Sequence, residues 1–541
     1  MADSLTISDF FANSVARRGN ELALGYVRAG ELHWLTWQQV ADQASQLAAT
    51  LRVAGIAPGD RVAQVSENRW EWIITDLAIH LAGAVHVPIH ITLSGEQIAE
   101  QITDSGARLV FVSSQPMLAK FVDLAPKGIT YIIHDEQTEG PRTPVGVQAA
   151  RSPAPSPQPP APATLATILY TSGTTGRSRG VMLSYGNLAS NAAATAEAFG
   201  DDYPQRRLCV LPLSHIYART CDLYTWLYRG SQLVLCESRE TLARDLQLAR
   251  PAALNAVPYI YQKIADRIRT GDGDHAQQLR DFFGGHIEHL NCGGAPLAPE
   301  SEAWYAEQGL PVLLGYGLTE TSPVIAASTP SSYRPGTVGR LLRDVEVRIA
   351  QDGEILTRGP QVMLGYWHDE EATAAAISNG WFHTGDLGMV DADGFLAIRG
   401  RKKELIVLST GKKVAPTRVE LLLTESPLIE QACVFGDNRC GLVALIVPST
   451  TAQPPAGGLA QPQTAIDQQA LYAAEITRCL ASAAQEEQVH HFVLTDRPFS
   501  IDRGEMTAKL SLCRAVIARN FAPEIERALS PGFNSASSKR S

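Results

Sequence analysis

The chain has 541 residues, of which 45% are hydrophobic and 19% are charged, and its formal net charge is −10. This length is too great for one hydrophobic core and predicts about three to four structural units, while the composition excludes a globally disordered protein. The acidic balance argues against nucleic acid as a partner, because the phosphates would repel such a chain.

The sequence also predicts the environment of the protein. The eight cysteines are scattered, with no C-x-x-C pair and no histidine cluster at metal-binding spacing, which is typical of reduced cytosolic thiols. The N-terminus (MADSLTISDFFANSV) lacks a basic region followed by an apolar core, so no secretory signal is predicted. The most apolar stretch, 72–91, is broken by Asp76, His80, His86 and Pro88, which would be costly in a bilayer. We expect a cytoplasmic protein with at most peripheral membrane contact.

The first half of the chain alternates between helical and β-rich patterns. A capping box at Thr36 and Gln39 and a glycine at 55 predict an amphipathic helix over residues 36–55. Short β-rich runs separated by helical patterns follow at 61–65, 108–112 and 129–133. This alternation predicts an α/β fold with largely parallel strands.

A proline-dense stretch at 141–163 predicts an extended tether between this unit and a second α/β unit that begins at 165–170. The β-like runs of the second unit are 207–212, 232–236 and 286–291. From Gly336 onward short strands and turns prevail, and the Asp-Gly pair within 345–360 is a hairpin signal. A small β-rich subdomain is therefore expected there.

The composition becomes basic and mixed after GRKKE (400–404), so we place the main domain boundary near Arg401. The predicted division is a large N-terminal domain at 1–400, with two α/β subdomains and the β-rich one, and a smaller α+β C-terminal domain at 401–529. A disordered tail is predicted at 530–541.

The strongest functional signal is LYTSGTTGRSRGVMLSYGNL at 169–188, a β-like run that opens into a glycine- and hydroxyl-rich loop before a helical pattern. Such a loop binds phosphate, because glycines expose backbone amides, hydroxyls donate hydrogen bonds and arginines supply charge. The residues concerned are Thr171, Ser172, Gly173, Thr174, Thr175, Gly176, Arg177, Arg179 and Gly180. The plain alternative is a flexible Gly/Ser turn, which the coincidence of hydroxyls and basic residues after a strand disfavours. No Lys-Ser/Thr pair follows the second glycine, so the loop is not of the kinase or GTPase type.

This loop resembles the phosphate loop of the adenylate-forming superfamily, which comprises acyl-CoA synthetases, luciferases and peptide-synthetase adenylation domains. The usual form is TSGTTG followed by x-P-K-G, and Ser178 and Arg179 stand at the usual proline and lysine. Arginine keeps the positive charge for pyrophosphate, but its planar fork differs from a compact ammonium.

Further motifs follow in the order of that superfamily. LPLSHIYART (211–220) resembles the motif whose histidine, here His215, lies between the acyl pocket and the adenylate. NCGGAPL (291–297) resembles the turn along the adenine and the acyl channel, which implies nucleotide contacts at Gly293, Gly294 and Ala295.

GYGLTETSP (315–323) is close to the superfamily signature, which implies nucleotide contacts at Gly315, Tyr316 and Gly317. There Thr319 would contact the α-phosphate and Glu320 would hold Mg²⁺, since a carboxylate beside a triphosphate needs a cation between them.

WFHTGDLG (381–388) and GRKKE supply Asp386 and Arg401, which the resemblance assigns to the ribose hydroxyls. Singly, these motifs have plain alternatives: a capped loop histidine, a solvated acid and a turn aspartate. Five motifs in the same order argue against those alternatives.

Segments 59–72, 87–94 and 256–268 resemble the long-chain fatty acyl-CoA synthetase branch. Four aromatic residues are candidates for the wall of an apolar acyl channel, and ordinary core positions are the equal alternative. They are Tyr217, Trp226, Tyr259 and Tyr261. The insert after this segment is short, which leaves the chain-length preference open.

The resemblance implies a mobile C-terminal domain that rotates between two half-reactions about a hinge at Lys403, with Gly411 near the pantetheine tunnel. Family members usually end in T-P-T-x-K-x-K-R, whereas TAKLSLCR (507–514) puts Ser511 at the catalytic lysine. Lys509 lies two residues earlier, on the same face of an extended segment, and we predict that it takes the catalytic role. The alternative is a surface lysine beside a degenerate site.

Together these features predict ATP- and Mg²⁺-dependent activation of a fatty acid as an acyl adenylate, followed by transfer to coenzyme A. One alternative is an adenylate-forming enzyme with another acceptor, such as a carrier protein, or one that closes a β-lactone. Another is a degenerate, non-catalytic acyl or nucleotide binder. The oligomeric state is left open, with a homodimer as one option.

Overall fold

The computed structural model describes residues 5–136, 160–172, 178–269, 271–449, 465–500, 503–506 and 512–529. The predicted tether lies largely outside these residues, and the predicted tail lies wholly outside them. None of the helices in the described part of the chain is long and apolar enough to cross a membrane.

The α-helices are α1 (Ile7–Arg18), α2 (Trp37–Val53), α3 (Trp70–Leu81), α4 (Gly95–Ser105), α5 (Gln115–Ala119), α6 (Tyr185–Ala198), α7 (Ile216–Ala218), α8 (Thr225–Arg229), α9 (Leu242–Ala249), α10 (Pro258–Arg269), α11 (His275–Phe282), α12 (Pro299–Glu307), α13 (Glu370–Ala376), α14 (Pro416–Thr424), α15 (Ala465–Cys479), α16 (Arg514–Asn520) and α17 (Ala522–Leu529). A π-helical segment, Arg219–Tyr224, joins α7 to α8.

The strands are β1 (Leu22–Arg28), β2 (Glu31–Thr36), β3 (Arg61–Val65), β4 (Val85–Ile89), β5 (Leu109–Val112), β6 (Thr130–Ile133), β7 (Leu165–Ser172), β8 (Ser178–Ser184), β9 (Arg206–Cys209), β10 (Gln232–Leu235), β11 (Ala253–Ala256), β12 (His289–Cys292), β13 (Val312–Gly317), β14 (Val324–Ala327), β15 (Arg340–Leu341), β16 (Glu346–Ile349), β17 (Glu354–Arg358), β18 (Gly365–Tyr366), β19 (Ile377–Ser378), β20 (Trp381–Val390), β21 (Leu396–Arg401), β22 (Ile406–Val407), β23 (Lys413–Val414), β24 (Ile429–Phe435), β25 (Leu442–Pro448) and β26 (Val489–Leu494).

Two large sheets organise the first two-thirds of the chain. One has the strand order β18-β8-β7-β4-β3-β5-β6 and the other β15-β14-β13-β12-β11-β9-β10-β1-β2. The central pairings β3·β4, β3·β5, β9·β11 and β11·β12 are parallel, as the alternation of helical and β-rich patterns predicts. The predicted α/β class is thus confirmed.

Local sequence signals account for several element boundaries. Thr36 caps α2, with its hydroxyl accepting a hydrogen bond from the Gln39 amide, as the capping box predicts. The predicted hairpin at 345–360 is the antiparallel pair β16·β17. Its turn contains Gly353 at φ +88°, a left-handed conformation that favours glycine. The run predicted at 286–291 is shorter as a strand, because β12 begins only at His289.

The main hydrophobic core is formed by α1, α2, α3 and α6 with strands of both large sheets. The bulky side chains of Trp37, Trp72 and Trp226 are fully buried there. Small antiparallel strands β16, β17, β19, β20 and β21 form the β-rich subdomain.

The last part of the chain packs α14 and α15 on the three-stranded sheet β24-β25-β26, around a separate core that includes Val419, Ala444 and Ile476. It also contacts the preceding part: Gln262 Nε2 donates to the Thr424 carbonyl at 2.9 Å. This α+β unit agrees with the predicted fold class. The domain boundary near Arg401 stays a prediction.

Candidate active site

The phosphate-loop motif lies on the antiparallel hairpin β7·β8. Thr171 pairs with Arg179 and Ser172 with Ser178, so the five loop residues 173–177 connect directly paired strand ends. Four predicted phosphate contacts, Gly173, Thr174, Thr175 and Gly176, lie outside the described residues. The motif residues on either side of this segment, Thr171, Ser172, Ser178 and Arg179, lie on directly paired strands.

The side chain of Arg179 contacts two residues that the sequence analysis did not predict as site residues. Its Nε atom is 3.5 Å from Asp369 Oδ2, and its guanidinium carbon lies 5.6 Å from the centroid of the Tyr366 ring. The side chain is 39% exposed, so the ion pair with Asp369 contributes little stability and leaves the guanidinium accessible to an anion.

Tyr366 connects Arg179 to the predicted metal ligand. The Tyr366 hydroxyl donates a hydrogen bond to Glu320 Oε1 at 3.0 Å, and the Met363 amide donates to the Glu320 carbonyl at 2.9 Å. Burial raises the pKa of Tyr366, and the Glu320 charge raises it further, so the hydroxyl stays protonated. One carboxylate oxygen is thereby oriented, and a carboxylate has a second with which to bind a cation.

The segment that carries Glu320 turns sharply after β13. A Cβ atom on Gly317 would lie 1.7 Å from the Pro323 carbonyl oxygen, so only glycine fits at this close approach. The Leu318 amide donates to the same carbonyl at 3.1 Å. Thr319 follows in a short 3₁₀ turn and is buried. This turn holds Thr319 and Glu320 in a fixed position at the end of the strand.

The predicted ribose residues lie together. Asp386 and Arg401 are register partners on β20 and β21, and Asp386 Oδ1 is 3.0 Å from Arg401 Nε. The Tyr316 hydroxyl donates to Asp386 Oδ2 at 2.8 Å. Burial raises the pKa of Asp386, while Arg401 opposes that shift. Gly315 and Tyr316 lie on β13, and Glu320 follows shortly after this strand. One short segment therefore carries both the tyrosine beside the predicted ribose residues and the predicted metal ligand.

The remaining N-terminal motifs meet at Tyr217. A Cβ atom on Gly293 would lie 3.2 Å from Tyr217 Cζ, so Gly293 packs closely on that ring, and Gly294 and Ala295 follow it in the chain. His215 caps the N-terminus of α7, with Nδ1 accepting from the Tyr217 amide at 3.2 Å. The structure thus shows the capped-histidine alternative, with His215 bonded to the backbone of Tyr217, whose ring contacts Gly293.

The structure favours core roles for two of the four aromatic candidates. Tyr261 is fully buried, and its hydroxyl donates to the Leu254 and Asn291 carbonyls, both at 2.9 Å. Trp226 stacks on Trp37 with ring centroids 4.5 Å apart. Tyr259 is 51% exposed. Of the four, Tyr217 is the one whose ring lies against Gly293.

The predicted C-terminal residues are placed only in part. Lys403 lies in the turn Lys402–Glu404 that follows β21, where a hinge is predicted. Gly411 lies between β22 and β23 at φ +79°. Lys509 and Ser511 lie outside the described residues, so the geometry does not test the lysine assignment.

The structure also contains a buried cluster of polar side chains that the sequence did not predict, because its histidines are separated along the chain. Donor atoms of Asp76, His80 and His86 lie within 4.8 Å of one another, a spacing that would suit a metal ion. However, Arg219 Nη2 lies 2.6 Å from Asp76 Oδ1 and 2.8 Å from His86 Nδ1. Because this guanidinium occupies the centre of the group, we interpret it as a buried ion pair that anchors the helical segment following His215.

Comparison with known proteins agrees with this geometry. Residues 11–367 match the family described as AMP-binding enzyme, and residues 403–531 match the AMP-binding enzyme C-terminal domain. The arrangement is the fold of adenylate-forming enzymes. The chain therefore belongs to the AMP-binding enzyme family, and the predicted resemblance is confirmed.

Particular relatives are similar over most of their length. The chain is 34% identical to the long-chain-fatty-acid–CoA ligase FadD15 of Mycobacterium bovis, covering 91% of this chain and 92% of that protein. It is 31% identical to a feruloyl-CoA synthase of an Amycolatopsis species, covering 77% and 84%. The solved structure of O-succinylbenzoate coenzyme A synthetase (MenE) from Bacillus subtilis, in complex with ATP and magnesium ion, superposes with a TM-score of 0.73 at 25% identity, covering 94% and 98%. These similarities support adenylate-forming acyl–CoA ligase chemistry.

Proposed function

We propose that this protein is an ATP- and Mg²⁺-dependent fatty acid–CoA ligase that forms an acyl adenylate and transfers the acyl group to coenzyme A. One observation carries the proposal: residues from four separate motifs are joined by two sets of contacts, one to Tyr316 on β13 and one to Glu320 just after β13. Tyr316, Asp386 and Arg401 form one set, and Arg179, Tyr366 and Glu320 form the other. The segment from Tyr316 to Glu320 joins a ribose site to a metal site, as a bound nucleotide requires.

Long-chain fatty acids are the proposed substrate because FadD15, whose name includes that substrate, has the highest of the three identities reported above. The sequence motifs at 59–72, 87–94 and 256–268 point to the same branch. The similarity to a feruloyl-CoA synthase shows that the family accepts other acids, so the acid must be determined by assay.

In the proposed site, Asp386 and Arg401 hold the ribose, and the turns at 293–295 and 315–317 lie along the adenine. Thr171, Ser172 and the loop to Gly176 bind the phosphates through amides and hydroxyls. Thr319 contacts the α-phosphate.

Glu320 would hold Mg²⁺, because one oriented carboxylate together with phosphate oxygens and waters is the ligand set that this ion prefers. The ion would supply positive charge to neutralise the phosphates.

Two half-reactions follow. In the first, a carboxylate oxygen of the acid bonds to the α-phosphorus and the bond to pyrophosphate breaks. In the second, the thiol sulfur of coenzyme A bonds to the acyl carbon, the bond to AMP breaks and the thiol proton is released. Since negative charge meets negative charge in the first step, catalysis comes mainly from positioning and cationic stabilisation. Arg179 and Lys509 are the proposed cations, and His215 is proposed to lie between the acid and the adenylate.

The proposed second step requires movement of the domain after residue 400. Lys403 is the proposed hinge, and Gly411 would then approach the pantetheine arm of coenzyme A. A glycine at φ +79° keeps that turn free of side-chain atoms.

The test is a panel of saturated acids of medium to long chain, assayed for pyrophosphate release with ATP and Mg²⁺, and for acyl-CoA by mass spectrometry. We expect both products, with a maximum at a long chain length. Pyrophosphate without acyl-CoA would indicate another acceptor, and no pyrophosphate with any acid would indicate a nucleotide or acyl binder.

Lys509→Ala tests the catalytic lysine in a single-turnover adenylation assay, with Lys412→Ala as the control. Lys412 forms a surface ion pair with Glu486 at 3.0 Å, so its loss removes an equal charge elsewhere in the same domain. Full adenylation by Lys509→Ala would show that the assignment is wrong.

A further inference from the structure

A cluster of buried polar side chains lies on β11, β12 and a neighbouring helical segment, just before the turn at Gly293. We call it the Asn–Asp cluster, and its members are Asn255 on β11, Asn291 on β12 and Asp222 on the π-helical segment. The three residues are 2%, 8% and 0% exposed.

Strand register brings the two asparagines together. Asn255 and Asn291 are register partners on neighbouring parallel strands, so their side chains stand on the same face of the sheet. Asn255 Nδ2 donates to Asp222 Oδ1 at 2.6 Å, which draws the aspartate onto this face. Arg207 Nη1 lies 3.8 Å from the same oxygen, at the limit of an ion pair.

Several polar atoms of this cluster are buried without a hydrogen-bond partner among the described residues. They are both amide atoms of Asn291, Nδ2 and Oδ1, and Asp222 Oδ2. Buried polar groups in native proteins are almost always hydrogen-bonded, and each exception calls for a missing water or ligand. Burial also raises the pKa of Asp222 to about 7, so this group is able to donate as well as accept near neutral pH.

The cluster adjoins the proposed acyl site. Asn291 precedes Gly293 by two residues, and Gly293 packs on the ring of Tyr217. Asp222 lies on the continuous helical stretch that begins after His215. Asn291 and Asp222 thus lie on β12 and on the helical stretch after His215, the two elements whose motifs border the proposed acyl site.

We propose that the Asn–Asp cluster recognises a hydroxyl group on the acyl chain, so that the preferred substrate is a hydroxylated carboxylic acid; this rests on the proposed function. A hydroxyl donates one hydrogen bond and accepts others, which matches a set of unpartnered atoms that includes both a donor and acceptors. An unsubstituted chain would leave these atoms unpaired, and sites built for hydrogen bonding reject analogues that lack the partner. An oxo group would satisfy the donor alone.

The first experiment compares acids of equal length with and without a hydroxyl, placed at successive chain positions, by kcat/KM for pyrophosphate release. We expect a preference of about tenfold or more for the hydroxylated acid at one position. Equal or lower kcat/KM for every hydroxylated acid would overturn the inference and leave a buried water as the partner of Asn291.

The second experiment uses Asn291→Leu, which keeps the side-chain size and removes both amide atoms. We expect the preference, measured as the ratio of kcat/KM for the hydroxylated and the unsubstituted acid on the same variant, to disappear. Asn191→Leu is the matched control, because Asn191 is also buried, at 1% exposed against 8% for Asn291, but is bonded at both amide atoms, to Val324 O at 2.7 Å and Val324 N at 3.0 Å. An unchanged preference in Asn291→Leu would contradict the inference. If this variant does not fold, the comparison of acids on the wild-type protein tests the inference by itself.

A binding readout separates this inference from the proposed function. The melting temperature of the wild-type protein is measured with each acid, without ATP. Stabilisation by hydroxylated acids alone, with no turnover of any acid, would support the cluster and refute the ligase. Turnover without a hydroxyl preference would support the ligase and refute the role of the cluster. If no acid is turned over and none stabilises the protein, both proposals are refuted.

Discussion

Tyr366→Phe tests whether the contact between Tyr366 and Glu320 orients the carboxylate of the proposed Mg²⁺ site. The substitution removes the hydroxyl that donates to Glu320 Oε1 at 3.0 Å and keeps the ring over which Arg179 lies. A hydrogen bond to a charged group contributes about 1.5–3 kcal/mol. Partners that orient metal ligands typically change metal affinity by about 10–100-fold.

We therefore expect the Mg²⁺ concentration for half-maximal pyrophosphate release to rise by about tenfold or more, since about 1.4 kcal/mol corresponds to a factor of ten. The rate at saturating Mg²⁺ should change much less, because Glu320 itself remains. Binding of Mn²⁺ to the protein with ATP, followed by electron paramagnetic resonance, provides a readout independent of turnover and should weaken by a similar factor.

Tyr228→Phe is the matched control. The Tyr228 hydroxyl donates to Glu197 Oε1 at 2.6 Å, which is the same chemical pair away from the site. Loss of thermal stability in both variants with no change in Mg²⁺ response would mean that Tyr366 only packs. A normal Mg²⁺ response in Tyr366→Phe would refute the reasoning.

Three further outcomes are expected. Asp386→Asn should raise the KM for ATP by about tenfold and leave the KM for the acid unchanged in steady-state kinetics, because it removes the charge that pairs with Arg401 and is proposed to hold the ribose. Burial raises the pKa of Asp222 from 3.8 to about 7, so its contribution to stability is complete below pH 4 and is lost as the pH rises through 7. The loss is at most about 4 kcal/mol for about three pKa units, and urea unfolding of Asp222→Asn between pH 4 and 8 should show a shallower decline than the wild type. Trp226→Ala should destabilise the fold by about 3–5 kcal/mol in the same assay, since Trp226 is fully buried against Trp37; a change below 1 kcal/mol would contradict its core role.

The sequence alone predicted much of the fold because the signals concerned are local. Capping at Thr36, the Asp-Gly turn before β17 and the alternation of short apolar runs each depend on neighbouring residues. The family assignment likewise followed from the order of short motifs along the chain, which needs no knowledge of their contacts. Asp386 and Arg401 were paired in advance for the same reason.

Only the tertiary structure decided the contacts between distant segments. Tyr366 reaches Glu320 across 46 positions because β18 pairs with β8, with Tyr366 opposite Val181. The unpartnered atoms of Asn291 appear only when β12 is placed beside β11, and the burial of Trp226 only when Trp37 is packed on it. Strand order and helix packing are set by the sum of many weak apolar contacts, and no short window of sequence contains that sum.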